Sequence, residues 1–352
     1  MKRLIALAAM MMLAAPAVAQ WLKYPTPGIP RTVDGRPDLG ARPPRAPDGR
    51  PDLSGVWQFN LGVAYSTNLV ADLRADEIAP WADALFRKRM ANLGADDSSL
   101  VGCLPRGPRF ILGSGPVPQF VKIVQNPGVT MILSEELAFR QVFTDGRALP
   151  RDPNPTFMGY SVGHWDGEVF IVESNGFNDR TWLDFGGHPH TEALHIMERF
   201  RRTSVGQMEL QVTLSDTAYA RPWTVPVAVT LAPDTEILEY VCNENETRRT
   251  SIGLTAAERS VAVSPAVLTD YVGMYDITIG GRGGSGIKTL TIRNSGTGLV
   301  LDVDGKGNLP LVPLSQTTFS TRILDLEFVR DGTGVVTRVI NVRSGQRFDK
   351  RR

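Results

Sequence analysis

The chain reads as mainly β: an antiparallel barrel domain with one helix, followed by a small antiparallel β-barrel. Three observations predict this. Glycine (34 residues) and proline (25) are abundant, and turn pairs such as Asp-Gly and Pro-Gly punctuate short apolar segments. Alternation of period two dominates: Trp223, Val225, Val227, Val229 and Leu231 share one face. Helical periodicity of any length is confined to residues 75–92. A chain of 352 residues suits two domains.

Residues 1–19 have the form of an export signal. Lys2 and Arg3 supply the charged start, Leu4 to Leu13 the short apolar run, and Ala17-Val-Ala19 the cleavage site. The expected mature chain begins at Gln20 and is periplasmic or secreted. The apolar run is too short for a membrane span. Removing the signal leaves 36 basic side chains against 37 acidic ones, a formal charge of −1, which argues against nucleic acid as a partner. The two cysteines, Cys103 and Cys242, are expected to pair in an oxidising compartment, with two buried thiols as the alternative.

Residues 20–54 form a proline-rich extended arm with an imperfect repeat: Arg31-Thr-Val-Asp-Gly-Arg-Pro-Asp-Leu returns as Arg45-Ala-Pro-Asp-Gly-Arg-Pro-Asp-Leu. Asp-Gly favours a turn and proline extends what precedes it. The larger domain spans 55–250. Its helix has Pro80 in the first turn, Asp76 as a cap and Leu85, Met90 and Leu93 as an apolar stripe. Strands follow at 120–124, 129–133 and 138–143. A hairpin turns at Asp166-Gly167, and further strands lie at 193–202, 208–215, 223–231 and 236–242. Residues 251–267 are the linker. The region 268–352 carries closely spaced short strands broken by Gly and Asp.

Two resemblances bear on this division. Asp270-Tyr-Val-Gly-Met-Tyr-Asp276, Leu309-Pro-Leu-Val-Pro-Leu314 with Phe319, and Leu326-Glu-Phe-Val-Arg-Asp331 resemble the lipocalin-like β-barrel domain appended to β-lactamase-related serine hydrolases. That likeness implies a barrel and no catalytic role. The segments Cys103-Leu-Pro-Arg-Gly107, Gly176-Phe-Asn-Asp-Arg-Thr-Trp-Leu-Asp184, His188-Pro-His-Thr-Glu192 and Cys242-Asn-Glu-Asn-Glu246 resemble an uncharacterised family of exported bacterial proteins. The opening Gly55-Val-Trp57 is similar to that of calycin-type up-and-down barrels.

Candidate chemistry concentrates after the Asp166-Gly167 hairpin, in a segment too long and too aromatic for a plain linker. His188, His190 and His195 are three of the four histidines. On extended backbone His188 and His190 point the same way and suit one ligand, or one metal with Asp184 as a further donor. No metal is expected, because Pro189 and the preceding glycines also suit a structural turn. Trp182, Phe185, Arg180 and the three histidines are the expected ligand contacts. His188, His190, Glu198 and Asp179 are the candidates for acid–base chemistry. Glu198 shares a strand face with Leu194, Ile196 and Phe200, so it should point inward, either as a titrating carboxylate or as a structural partner of a cation such as Arg140. Gly159-Tyr-Ser-Val-Gly163 has the nucleophile-elbow pattern but lies within a hairpin, where the elbow needs strand, turn and helix. No nucleotide, haem or redox motif is present, and no cofactor is expected. The functional expectation is a small, partly apolar ligand held in the larger barrel. The alternative is a hydrolase or lyase using the His188–His195 loop and Glu198. The sequence leaves open whether the protein is an enzyme.

Overall fold

The computed structural model describes residues 25–351, apart from 93, 95, 96, 98, 100–102, 115–118, 242–259, 280–286, 297, 322, 323 and 343 and the side chains at 119, 306 and 308. The expected export signal, Leu93 and Cys242 therefore lie outside the described residues.

The described strands close into two barrels of nine and eight strands, each in sequence order. The first comprises β1 (Gly55–Asn60), β2 (Gln119–Asn126), β3 (Val129–Ser134), β4 (Phe139–Phe143), β5 (Tyr160–Asp166), β6 (Val169–Asn175), β7 (His195–Arg202), β8 (Gln207–Ser215) and β9 (Trp223–Leu231). Alternation drives its closure. In β9 the odd positions are buried and Thr224, Pro226 and Ala228 face out. β9 then pairs with β1, Trp57 opposite Leu231 and Phe59 opposite Val229. Trp57 is fully buried beneath the barrel wall, and its indole N–H donates to the Leu53 carbonyl at 2.8 Å.

Two expectations for this barrel are corrected. It is not wholly antiparallel: β4 and β5 run parallel, Val142 opposite Ser161 and Phe143 opposite Val162. The Pro-rich segment 144–159 carries the chain back along the barrel, so β5 enters in the direction of β4. The expected strand at 236–242 is absent from its described part, 236–241. Because β9 already pairs with β1, no edge remains for another strand. The chain there hangs instead on Glu135, whose carbonyl accepts from Tyr240 N at 2.8 Å and whose carboxylate accepts from Leu238 N at 3.0 Å.

Helices cover one end of this barrel: α1 (Val63–Thr67), a 3₁₀ turn (Ala75–Glu77), α2 (Pro80–Ala91) and α3 (Pro108–Leu112). Only α2 was expected. It starts at Pro80 with Ala79 at its cap, because Asp76 belongs to the separate 3₁₀ turn. The two arm repeats fold alike. Arg31 and Arg45 each donate to a glycine carbonyl four residues on, at 3.0 Å, and bridge to Asp234 and Glu168 on the barrel surface.

The second barrel follows α4 (Pro265–Tyr271), which is capped by the Ser264 hydroxyl. That helix occupies the end of the expected linker and the first residues of the expected barrel region. The strands are β10 (Gly273–Ile279), β11 (Thr289–Asn294), β12 (Leu299–Val303), β13 (Lys306–Pro313), β14 (Thr318–Ser320), β15 (Asp325–Arg330), β16 (Val336–Asn341) and β17 (Arg347–Lys350), and every named pairing is antiparallel. At its centre Tyr271 stacks on Phe328, while Tyr275 and Phe319 meet Phe328 edge to face. Each such buried ring contributes roughly 1.5–3 kcal/mol. Val63, Met90 and Phe185 from the first barrel's cap join this same apolar cluster. No helix of the described residues is long and apolar enough to cross a membrane.

Candidate functional site

The segment between β6 and β7 folds inward and seals the helical end of the first barrel. Residues 181–190 are all buried. Phe177, Leu183 and Leu194 extend the first barrel's core, whereas Phe185 joins the second cluster. Alternate side chains of one loop thus pack into two different cores. Gly186 and Gly187 permit this. A Cβ at Gly186 would strike the Thr67 carbonyl, and one at Gly187, where φ is +104°, would lie 2.9 Å from Arg89 Cβ.

Asp184 organises the turn. Its Oδ1 accepts from Gly187 N at 2.8 Å and His188 N at 3.1 Å. Its Oδ2 accepts from Leu69 N at 2.8 Å and meets His188 Nδ1 at 2.6 Å. The carboxylate is an acceptor to three backbone donors, so the shared proton belongs to Nδ1 of the imidazole. The His188 ring is also stacked on Phe86, with centroids 3.8 Å apart and planes 11° off parallel. Its Nε2 has no hydrogen-bond partner among the described residues.

His190 is engaged on both sides. Nδ1 donates to the Thr191 carbonyl at 3.1 Å, and Nε2 accepts from the Thr181 hydroxyl at 2.9 Å. Burial lowers its pKa from the ordinary value of 6.5, outweighing the hydrogen bond to Thr191 and the fields of Asp216 and Asp179. Tyr219 donates to the neighbouring Pro189 carbonyl at 2.8 Å, and burial holds that phenol well above the ordinary tyrosine range. His195 lies elsewhere. It is half-buried at the start of β7, with Nε2 3.5 Å from Glu173 on the outer wall.

Trp182 and Phe185 are buried and each faces a guanidinium: Arg89 at 4.7 Å from the Trp182 ring and Arg109 at 4.9 Å from the Phe185 ring. Asp179 and Arg180 are exposed, and Arg180 covers Phe157 at 5.2 Å. The loop therefore brings Trp182, Phe185, His188 and His190 into one buried block and leaves Asp179, Arg180 and His195 outside it. Among the described residues no group of three or more His, Cys, Asp or Glu side chains is arranged to hold a metal.

Glu198 points into the first barrel, as its strand face requires, and is buried. Arg140 on β4 grips it with both terminal nitrogens. The same guanidinium donates to Ser161 at 2.9 Å and Ser174 at 2.6 Å, and the two hydroxyls lie 2.9 Å apart. Ser161 is thus a buried strand residue in a polar cluster, not an exposed nucleophile. No hydrogen bond or ion pair joins Glu198 to any of the three histidines; its carboxylate is taken up by Arg140.

A cleft of about 1290 Å³ opens beside the loop. On one side it is walled by the first barrel's cap, including Phe86, Met90 and His188. On the other lie Val300, Asp302 and Pro313 of the second barrel. The second-barrel wall was invisible in the sequence, since nothing in a β-strand pattern says which outer face meets another domain. The Asp184–His188 spacing was visible, but only as a possible metal pair. Arg109 was missed as well. It is fully buried, is paired with Asp97 through two 2.9 Å bonds, and has its pKa pushed down to about 10 by burial. No protein-family model and no curated protein matches this chain.

Proposed function

We propose that this is an exported two-barrel protein that binds a small, partly apolar molecule. The site is put between the barrels, beside His188, rather than within the larger barrel. The observation that carries this is the cleft, whose size accommodates a drug-sized ligand and whose walls mix apolar faces with a few polar groups. The interior of the larger barrel offers less: Trp57, Phe59, Phe170, Phe200 and Trp223 fill its inner face, together with the Arg140–Glu198 pair. The lipocalin-like likeness of the second barrel agrees with a binding role.

The test is occlusion. Val300 is half-buried on the outer face of β12 and lines the cleft. Val300→Trp should weaken binding of an apolar fluorescent probe such as anilinonaphthalene sulfonate by about tenfold or more, ~1.4 kcal/mol, with unfolding unchanged. Unaltered binding would remove the cleft from consideration. Identifying small molecules that co-purify with the mature chain would then name the natural ligand.

Export and the Cys103–Cys242 bond form one further proposal, supported by the N-terminal pattern and by the absence of a free cysteine among the described residues. Chain secreted into the periplasm should lose residues 1–19 and alkylate at neither cysteine until reduced. Two alkylated thiols in the unreduced chain would end the pairing.

A further inference from the structure

We propose that His188 is the proton acceptor of the cleft and that the ligand presents an acidic O–H group to it, as a phenol or enol does. This rests on the cleft being the binding site.

Three features of His188 converge. Its tautomer is fixed, because Asp184 accepts from Leu69, Gly187 and His188 backbone N–H groups and so leaves the proton on Nδ1. Its ring plane is fixed between that 2.6 Å contact and the Phe86 stack. Its Nε2 lone pair has no partner among the described residues, and His188 lines the cleft. A purely structural histidine has a different signature, and His190, two residues on, displays it: both nitrogens are bonded, and it does not line this cleft.

The neighbours fix the ligand class. Phe86, Met90, Val300 and Pro313 offer apolar contact for a hydrocarbon or aromatic body. An acceptor nitrogen at the wall needs a donor on the ligand, and an O–H that can ionise gains most from it. In the transfer the ligand O–H bond breaks and the Nε2–H bond forms. The positive charge on the imidazole is then met by Asp184, and the ligand is left as an oxyanion. Arg87 and Arg293 line the same cleft, each paired with a carboxylate of the same lining, Asp83 and Asp302, so the oxyanion is stabilised chiefly by the imidazolium that forms beside it. His188 would touch the ligand, so it is the reacting residue. Asp184 acts through it as a positioning residue, in the carboxylate–imidazole arrangement that general bases use.

The test uses the mature full-length chain with 4-nitrophenol, at a pH where the free probe keeps its proton. Bound probe should show the red-shifted absorption of the phenolate. His188→Gln should weaken binding by about tenfold or more and abolish the shift. Asp184→Asn should reduce the shift more than the affinity. Should that variant fail to fold, long-range ¹⁵N correlation spectra of the wild-type chain report the tautomer directly, with Nε2 expected to be the unprotonated nitrogen. Diethyl pyrocarbonate should acylate His188 and spare His190. The idea is overturned by a proton found on Nε2, by His188 resisting acylation, or by wild-type chain that does not bind the phenol. If Val300→Trp abolishes phenol binding while His188→Gln retains it, the cleft stands as a binding site and the proton acceptor falls. If neither substitution matters, both fall.

Discussion

Two buried carboxylates in this molecule face opposite fates. Glu198 lies inside the first barrel and Asp184 in the loop that seals its end; both are almost fully excluded from water. Glu198 meets a guanidinium, which answers both its oxygens and then satisfies Ser161 and Ser174 as well. The cluster is closed on itself. Asp184 meets three backbone N–H groups and one imidazole, and that imidazole has a second nitrogen to offer. The network ends in an unmet acceptor beside a cleft. Burial therefore does not separate a structural carboxylate from a functional one. What separates them is whether the chain of hydrogen bonds terminates inside the protein.

The largest expected effect breaks the closed cluster. Glu198→Gln removes the charge and leaves Arg140 buried without a counterion, so stability to urea should fall by about 3–5 kcal/mol. Phenol or dye binding by the surviving folded fraction should stay within about threefold of wild type, because no bond links Glu198 to the loop. The double change Arg140→Met with Glu198→Leu should recover most of the loss, since replacing a whole buried pair by apolar groups is often neutral. A Glu198→Gln variant that is stable but binding-dead would invert the comparison and return Glu198 to the site.

How far the sequence could be read divides along the same line. The strand alternation from Trp223 to Leu231, the turn at Asp166-Gly167 and the inward aim of Glu198 are local periodicities, and each appears in the fold as read. The parallel pairing of β4 with β5 was not legible, because the direction of β5 depends on the path of residues 144–159 and not on any pattern within the strand. The strand expected at 236–242 was misread for a similar reason: its residues suit a strand, but the barrel had closed without its described part. In the loop, residue type suggested a site and spacing suggested shared ligation by His188 and His190. The real partition follows from hydrogen-bond partners far along the chain, Leu69 for the first network and Asp216 for the second. Asp216 accepts from Thr191 N at 2.8 Å and thereby fixes the Thr191 carbonyl to which His190 donates.

His190 gives the intermediate effect, through pH. Burial lowers its folded-state pKa below the unfolded value of 6.5. The unfolded chain then binds more protons than the folded one as pH falls, so ΔG of unfolding falls with it. The contribution is fully present above the unfolded value and is lost progressively below it, down to the lowered folded value. Stability should therefore decline as pH falls through the unfolded value of 6.5 and below it, and His190→Gln should flatten that part of the curve. An unchanged slope in the variant would mean that the imidazole titrates freely and is not locked between Thr181 and Thr191.

The smallest effect belongs to His195, and it separates the third histidine from the other two. Its ring and the Glu173 carboxylate are each about one-third exposed, at a separation of 3.5 Å on the outer wall. Solvent screens such a pair, and exposed ion pairs contribute about 0–1 kcal/mol. His195→Ala should shift the unfolding midpoint only marginally. It should also leave dye and phenol binding untouched, because His195 pairs with Glu173 on the outer wall and does not line the cleft. The outcome matters beyond its size. The three histidines are neighbours in sequence, and a loss of binding in His195→Ala would mean that the loop works as one flexible unit whose inner and outer faces exchange. Intact binding beside a binding-dead His188→Gln would show instead that the hydrogen-bond partner of each imidazole, and not its place in the cluster, decides what it does.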